Sequence, residues 1–331
     1  MRDAGDPAAQ FLAAAGWADA ARQPLAGDAS ARRYERLRKP DGSGAILMDA
    51  RADAELAAFV KIDRFLLEQG LSAPRILCDG SADGFLLLED LGEAIFARLL
   101  ERDPGREPAL YAAACDILIR LQTLPPPEGL PPYGTPEMAA AVAPALDWYR
   151  LAVTGQSDGT AELVAAMRAA LDTLPPEAPV TILRDYHAEN LLWLPDRPGL
   201  ARVGLLDFQT AMLGHPVYDL ASLLQDARRS VAPRVAEASI ARFAAATDRE
   251  PADVARAVAV LGAQRHLRIL GIFTRLAKLR GKPGYLDLLP RVWGDLTADL
   301  AHPACAPLRA AVRDLLPAPT PDTLMRIKTD A

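Results

Sequence analysis

Four side chains in two short stretches have the types and the spacing to do chemistry. "ILRDYHAENLLWLP" (Ile182–Pro195) sets Asp185, His187 and Asn190 between two apolar runs, and "RVGLLDFQTA" (Arg202–Ala211) ends another apolar run on Asp207. Between them, "LLWL" and the turn former "PDRPG" predict a hairpin that returns Asp207 to the end where Asn190 stands. A carboxamide and a carboxylate brought together are hard oxygen ligands. They suit magnesium, which fills its other positions with phosphate oxygens and water. Asp185, five residues before Asn190, would then sit beside the metal and could accept a hydroxyl proton. That chemistry is phosphoryl transfer to an alcohol. A plain polar turn would also use Asp and Asn, since both favour turns and helix caps. Asp207 and the later "YDL" (Tyr218–Leu220) take the pattern beyond a turn.

The elements that must hold these loops fall into two groups. Up to residue 91 the chain shows short strands around one helix. "LAGDASARRYERLRKPDGSGAILMDA" predicts two strands joined at "PDGSG". Leu56, Phe59, Ile62 and Leu66 follow at helical spacing with Gly70 as the cap, and "RILCDG" and "GFLLLEDLG" predict two more strands joined by "SAD". From residue 92 helices dominate. "EPALYAAACDILIRLQTL" predicts a helix stopped by "PPPEGLPPYGTP", with further helices over about Glu137–Val153 and Thr160–Leu174, and almost only helix after Asp219. The expected fold is α+β, with a small β-rich lobe over 1–91 and a larger, mostly helical lobe over 92–331. The latter holds both acidic loops.

Composition narrows the partners. Half of the 331 residues are hydrophobic, enough for a substantial core. A net charge of −6 argues against a nucleic-acid groove, which needs clustered Lys and Arg. Cys78, Cys115 and Cys305 lie far apart without a C-x-x-C pair, which fits a reducing compartment and no sequence-visible zinc site. "HAE" (His187–Glu189) could open a zinc deaminase site, but the only later cysteine pattern, "HPACAP", lacks the second thiolate. "DPAAQFLAAAGWADAA" reads as an amphipathic helix rather than a leader, and no apolar run reaches membrane-spanning length. A cytoplasmic protein acting on a small molecule is expected, with no nucleic-acid or membrane partner.

The motifs resemble those of the aminoglycoside phosphotransferase and choline kinase branch of the protein-kinase-like superfamily. Within it they resemble the bacterial kinases of cell-wall recycling that phosphorylate N-acetylmuramate and N-acetylglucosamine at the anomeric hydroxyl. "DASARRYERL", "LMDA", "FLLLEDLG", "LRDYHAENLLWLP", "GLLDFQ", "GHPVYDLASLLQDARRSV" and "LRILGIFTRL" carry the match in family order. The resemblance implies ATP and Mg2+ as cofactors, Asp185 as catalytic base, and Asn190 and Asp207 as metal ligands. It implies a phosphate loop at Gly27, Asp28, Ala29 and Ser30, and an adenine connector at Glu89, Asp90 and Leu91. Asp219 would brace the catalytic loop, and Glu55 stands where the helix glutamate belongs.

Two positions depart from the family. The third strand, "GAILMDA", has Met48 near the place of a lysine that pairs with the helix glutamate; Arg32 or Arg33 could supply that charge instead. Leu183 stands where the wider family has a histidine. On the substrate side, His187 is a loop-bracing or substrate residue. Arg228 and Arg265 are either solvated or partners of a carboxylate such as the lactyl group of muramate. Two alternatives stay open: a kinase of another alcohol such as an aminoglycoside or choline, and a nucleotide-binding pseudokinase.

Overall fold

Alternation in "RYERLR" and "GAILMD" builds the middle of an antiparallel sheet, because residues two apart share a face. The computed structural model describes residues 6–25, 32–51 and 53–329. It divides into two compact units, Met1–Leu99 with Glu189–Thr210, and Leu100–Ala188 with Ala211–Ala331. The expected α+β class is what the chain forms.

In the first unit, β1 (Ala21–Leu25), β2 (Arg33–Arg38), β3 (Gly44–Asp49), β4 (Ile76–Gly80) and β5 (Phe85–Glu89) lie in the order β1-β2-β3-β5-β4. Every neighbouring pair is antiparallel. The β2–β3 turn carries Gly42 at φ 87°, a left-handed conformation that glycine adopts without a Cβ penalty. Leu37, Leu47, Phe85 and Leu87 form a core with Ala8 and Leu12 of helix α1 (Pro7–Ala14). Helix α2 (Leu56–Glu68) buries Phe59, Ile62 and Leu66, as its spacing predicts. Strand β1 was not expected. Its "ARQPL" is mostly exposed and contains Pro24, which an edge strand tolerates and sequence patterning reads as a break.

The hairpin is formed by β8 (Leu191–Trp193) and β9 (Val203–Leu205), with Leu191 opposite Leu205. It belongs to the first unit for a physical reason. Trp193 N–H donates to the Ala94 carbonyl at 2.8 Å, and Leu205 N–H to the Ser72 carbonyl at 2.7 Å. The first unit therefore runs to Leu99 and takes in 189–210, whereas composition changes at residue 91.

The second unit is mostly helical. Its sheet is three short strands in the order β6 (Pro132–Tyr133), β10 (Met212–Gly214), β7 (Val180–Ile182). Helices α3 (Glu107–Gln122), α4 (Tyr218–Leu224), α5 (Pro233–Ala246), α6 (Pro251–Arg280) and α7 (Leu289–Leu300) surround it in sequence. The helix expected over Glu137–Val153 is broken: an α-helix ends at Ala140, and a π-helical turn covers Ala145–Arg150 after Pro144. Helix α6 packs closely on that break, since a Cβ at Gly271 would meet the Pro144 carbonyl at 2.1 Å. No described helix is long and apolar enough to cross a membrane.

Candidate functional site

Asp185 sits in the second unit on main chain that is fixed from two sides. Asp219 of α4, fully enclosed, accepts hydrogen bonds from the Leu183 N–H at 2.6 Å and the Arg184 N–H at 2.8 Å. Ser222 Oγ donates to the Arg184 carbonyl at 3.1 Å, and Tyr186 Oη donates to the Ala114 carbonyl at 2.8 Å. Arg184 itself is held at φ 70°, a left-handed conformation that costs a non-glycine residue about 1–2 kcal/mol. Its guanidinium lies 5.1 Å from the centre of the Tyr133 ring. The expected brace by Asp219 is present. Burial pushes its carboxyl up to about 6, while the two main-chain N–H groups and Arg265 pull it down and Asp185 adds to the rise.

Leu183, in the place of a family histidine, is buried and contributes main chain to the brace. His187 follows the loop. Burial lowers its pKa, with Arg228 and Arg265 adding to the effect and Asp226 and Asp185 opposing it, so neutral imidazole is favoured. Arg228 places its guanidinium 6.0 Å from the Tyr285 ring centre, and Arg265 lies 5.7 Å from that of Tyr218. Neighbouring Arg229 is committed elsewhere, 2.7 Å from Glu107 and 2.6 Å from the Tyr111 hydroxyl.

Asn190 and Asp207 belong to the first unit; its boundary in the loop falls between Ala188 and Glu189. The hairpin register brings these two to one end, where the Leu206 N–H donates to the Asn190 carbonyl at 2.9 Å. Asp207 is held at φ 56°, which its short polar side chain tolerates better than most. Gln209 Nε2 donates to its Oδ1 at 2.7 Å. Among the described residues, no group of three His, Cys, Asp or Glu side chains could hold a metal unaided. One amide and one carboxylate therefore fit a hard cation that brings phosphate and water, and do not fit a closed structural site.

The phosphate loop expected at Gly27, Asp28, Ala29 and Ser30 lies outside the described residues. Of the two arginines after it, Arg33 is exposed and its field acts on Asp49. Arg32 is buried, hydrogen-bonded to Asp53, and 3.5 Å from Glu55 at the start of α2. Its guanidinium also lies 5.7 Å from the Phe59 ring centre, and Phe59 stacks on Phe208 at 5.0 Å, next to Asp207. Glu55 thus has a cationic partner in Arg32, which stands just before β2. Met48 is buried opposite Tyr34.

Tyr34 was missed by sequence. Burial raises its hydroxyl pKa, the Arg32 charge and hydrogen bond oppose that, and Asp207 adds to it.

Glu89 and Asp90 use their side chains in ion pairs. Glu89 lies 2.7 Å from Arg197 and 3.1 Å from Arg75, and Asp90 2.9 Å from Arg36. Leu91 follows them, partly buried. The remaining histidines each make a hydrogen bond within the second unit. His215 accepts from the Val217 N–H at 3.2 Å and is held down to about 4 by burial, and His266 faces Asp299 at 3.0 Å. His302 accepts from the Ala304 N–H and caps a helical turn.

The sequence pattern of the phosphotransferase enzyme family matches residues 21–257. An N-acetylmuramate/N-acetylglucosamine kinase of Caulobacter vibrioides is 40% identical, over 91% of this chain and 94% of that protein. A protein of the same name from Pseudomonas aeruginosa is 34% identical, over 88% of each. A choline/ethanolamine kinase family protein from Mesorhizobium loti superposes with a TM-score of 0.62 over 93% of this chain and 99% of its own. At 19% identity that likeness concerns the fold, which is protein-kinase-like.

Proposed function

This chain belongs to the phosphotransferase enzyme family, and we propose that it is an ATP- and magnesium-dependent kinase of the anomeric hydroxyl of an amino sugar. N-acetylmuramate and N-acetylglucosamine are the proposed acceptors, in the cytoplasmic recycling of peptidoglycan. The pinned loop carries the catalytic part of this reading: the main chain around Asp185 is fixed by Asp219, Ser222 and Tyr186. A general base must be positioned before its proton affinity matters. The names of the related proteins support the choice of sugar.

In the proposed reaction the anomeric oxygen attacks the γ-phosphorus in line. The new O–P bond forms as the bond from that phosphorus to the β,γ-bridging oxygen breaks, ADP leaves, and Asp185 takes the hydroxyl proton. An anomeric hydroxyl is more acidic than an ordinary alcohol, which eases the work of a carboxylate base. Asn190 and Asp207 would hold the magnesium, which neutralises charge on the phosphates when bound. Residues 1–91 are the proposed nucleotide lobe, with Gly27–Ser30 over the phosphates and the main chain of Glu89, Asp90 and Leu91 against adenine. Because Glu89 and Asp90 direct their carboxylates to arginines, backbone recognition suits them. Arg32 takes the part of the absent strand lysine and Arg33 a lesser one. Residues 92–331 supply catalysis and the sugar side, with His187, Arg228 and Arg265.

A buried methionine in place of that lysine favours a second reading, a nucleotide-binding module without turnover. The Arg32–Glu55 pair supports the first reading, since it supplies a cation beside that glutamate. The test is incubation with ATP, Mg2+ and a panel of sugars, aminoglycosides and choline, followed by phosphorus NMR. A product phosphorus coupled to an anomeric proton is expected. Phosphate on any other position, or transfer only to choline or an aminoglycoside, would overturn the assignment.

A further inference from the structure

The hairpin of β8 and β9 carries the two proposed metal ligands at its open end and a polar tie at its closed end. Asn190 and Asp207 flank the open end, where Leu191 pairs with Leu205. Beyond the last strand pair, Trp193 with Val203, the turn "PDRPG" holds Arg197. Its main chain is fixed there: the N–H donates to the Leu194 carbonyl at 3.1 Å, and the carbonyl accepts from Arg202 Nε at 3.1 Å. From that turn the guanidinium forks. Nη1 donates to Ser72 Oγ at 2.7 Å and Nη2 to Glu89 Oε1 at 2.7 Å. Ser72 is buried and donates its hydroxyl back to the hairpin, to the Ala201 carbonyl at 2.7 Å. Glu89 opens the segment proposed to meet adenine. Leu91 of that segment lies against the same hairpin, since a Cβ on Gly204 of β9 would come within 3.3 Å of Leu91 Cδ1. All of these residues belong to the first unit.

A guanidinium is planar and its donors point in fixed directions, so satisfying two acceptors at once fixes their separation. Arg197 therefore sets the spacing between the connector and the closed end of the hairpin. A nucleotide has to meet both pieces together, its base at the connector and its phosphates beside Asn190 and Asp207. Contacts at the two ends of one ligand add fully only when the groups that make them are held at the right spacing beforehand. The connector has an anchor of its own on the other side. Arg36 of β2 lies 2.9 Å from Asp90 and donates to the Gly92 carbonyl at 3.3 Å. Loss of Arg197 would leave that anchor intact and free the hairpin turn from Glu89.

We propose that Arg197 is a positioning residue that locks the adenine connector to the metal-holding hairpin, so that binding of the base and of the magnesium-bound phosphates reinforce one another. The inference rests on the ATP-dependent kinase reading and deepens it, by naming the residue that sets the spacing of its nucleotide site.

The test is calorimetric titration of the full chain with adenosine and with ADP plus Mg2+, in wild type, Arg197→Ala, Arg197→Lys and Arg75→Ala. Adenosine carries base and ribose without phosphate and reads the connector alone. In Arg197→Ala its Kd should stay within about twofold of wild type, while the Kd for ADP with Mg2+ should weaken about tenfold, the worth of one hydrogen bond to a charged group. Arg197→Lys should recover only part of that loss, because a single ammonium cannot reproduce the fork. Arg75→Ala removes the other ion pair of Glu89, at 3.1 Å, without touching the hairpin, and should move neither Kd. Equal losses for adenosine and for ADP with Mg2+ in Arg197→Ala would mean general loosening and overturn the proposal. So would an unmoved ADP Kd in that variant, or a loss as large in Arg75→Ala. If wild type binds neither ligand, the nucleotide reading fails first; a wild type that binds both, with Arg197→Ala unmoved, sinks only the coupling.

Discussion

Replacing Asp219 by asparagine separates the stability of the loop around Asp185 from its geometry. The wild-type carboxylate accepts two main-chain N–H bonds, at 2.6 and 2.8 Å, and burial lifts its pKa to about 6 from 3.8. The folded state thus binds this proton more tightly than the unfolded chain does. Its contribution is greatest in acid and is lost as pH rises from about 4 to about 6. Roughly two pH units at about 1.4 kcal/mol each give a penalty of about 3 kcal/mol for the ionised form. An asparagine does not titrate. Between pH 4.5 and 7.5 the stability of wild type relative to Asp219→Asn should therefore fall by about 2 kcal/mol, part of the loss having already occurred by pH 4.5. Urea denaturation at both pH values reads this difference. At pH 7.5 the variant should also turn over about a hundredfold more slowly, because the amide presents a donor to one of the two N–H groups and the backbone under Asp185 relaxes. The KM for ATP should move far less. A pH-independent stability difference would refute the electrostatic argument, and wild-type kcat would refute the brace.

Two further perturbations follow from the same physics. Arg32→Ala should raise the KM for ATP by about tenfold or more and Arg33→Ala by clearly less, since only Arg32 is buried against Asp53 and Glu55; equal effects in steady-state kinetics would contradict this. Asp63 is completely buried with neither oxygen partnered among the described residues, and burial pushes it up to about 7, Arg64 opposing and Glu89 adding. A raised folded pKa means stability lost as pH climbs from about 4 to about 7, so Asp63→Asn should stabilise the protein at pH 8 and much less at pH 4.5. Chemical denaturation with the same gain at both values would refute it.

The hairpin after Asn190 was legible because its geometry is local. A three-residue strand, a "PDRPG" turn and a second three-residue strand leave little choice of register, so Asn190 and Asp207 had to meet at one end. Helix α2 was legible for the same reason, its apolar spacing being uninterrupted. What stayed hidden depends on which face a residue presents. Arg32 and Arg33 are equivalent in a string, but one is buried against two carboxylates and the other is exposed. Arg228 and Arg229 read alike until Arg229 is found on Glu107 and Tyr111, from a helix more than a hundred residues earlier.

Asp185→Asn tests the central claim most directly, with turnover of sugar and ATP and nucleotide affinity measured on the same preparation. Removing the base while keeping the shape should cost at least about a hundredfold in kcat, the lower end of what a positioned general base contributes, with ATP binding unchanged. A variant that turns over within a few-fold of wild type would mean that Asp185 takes no proton, and phosphoryl transfer from this loop would have to be abandoned.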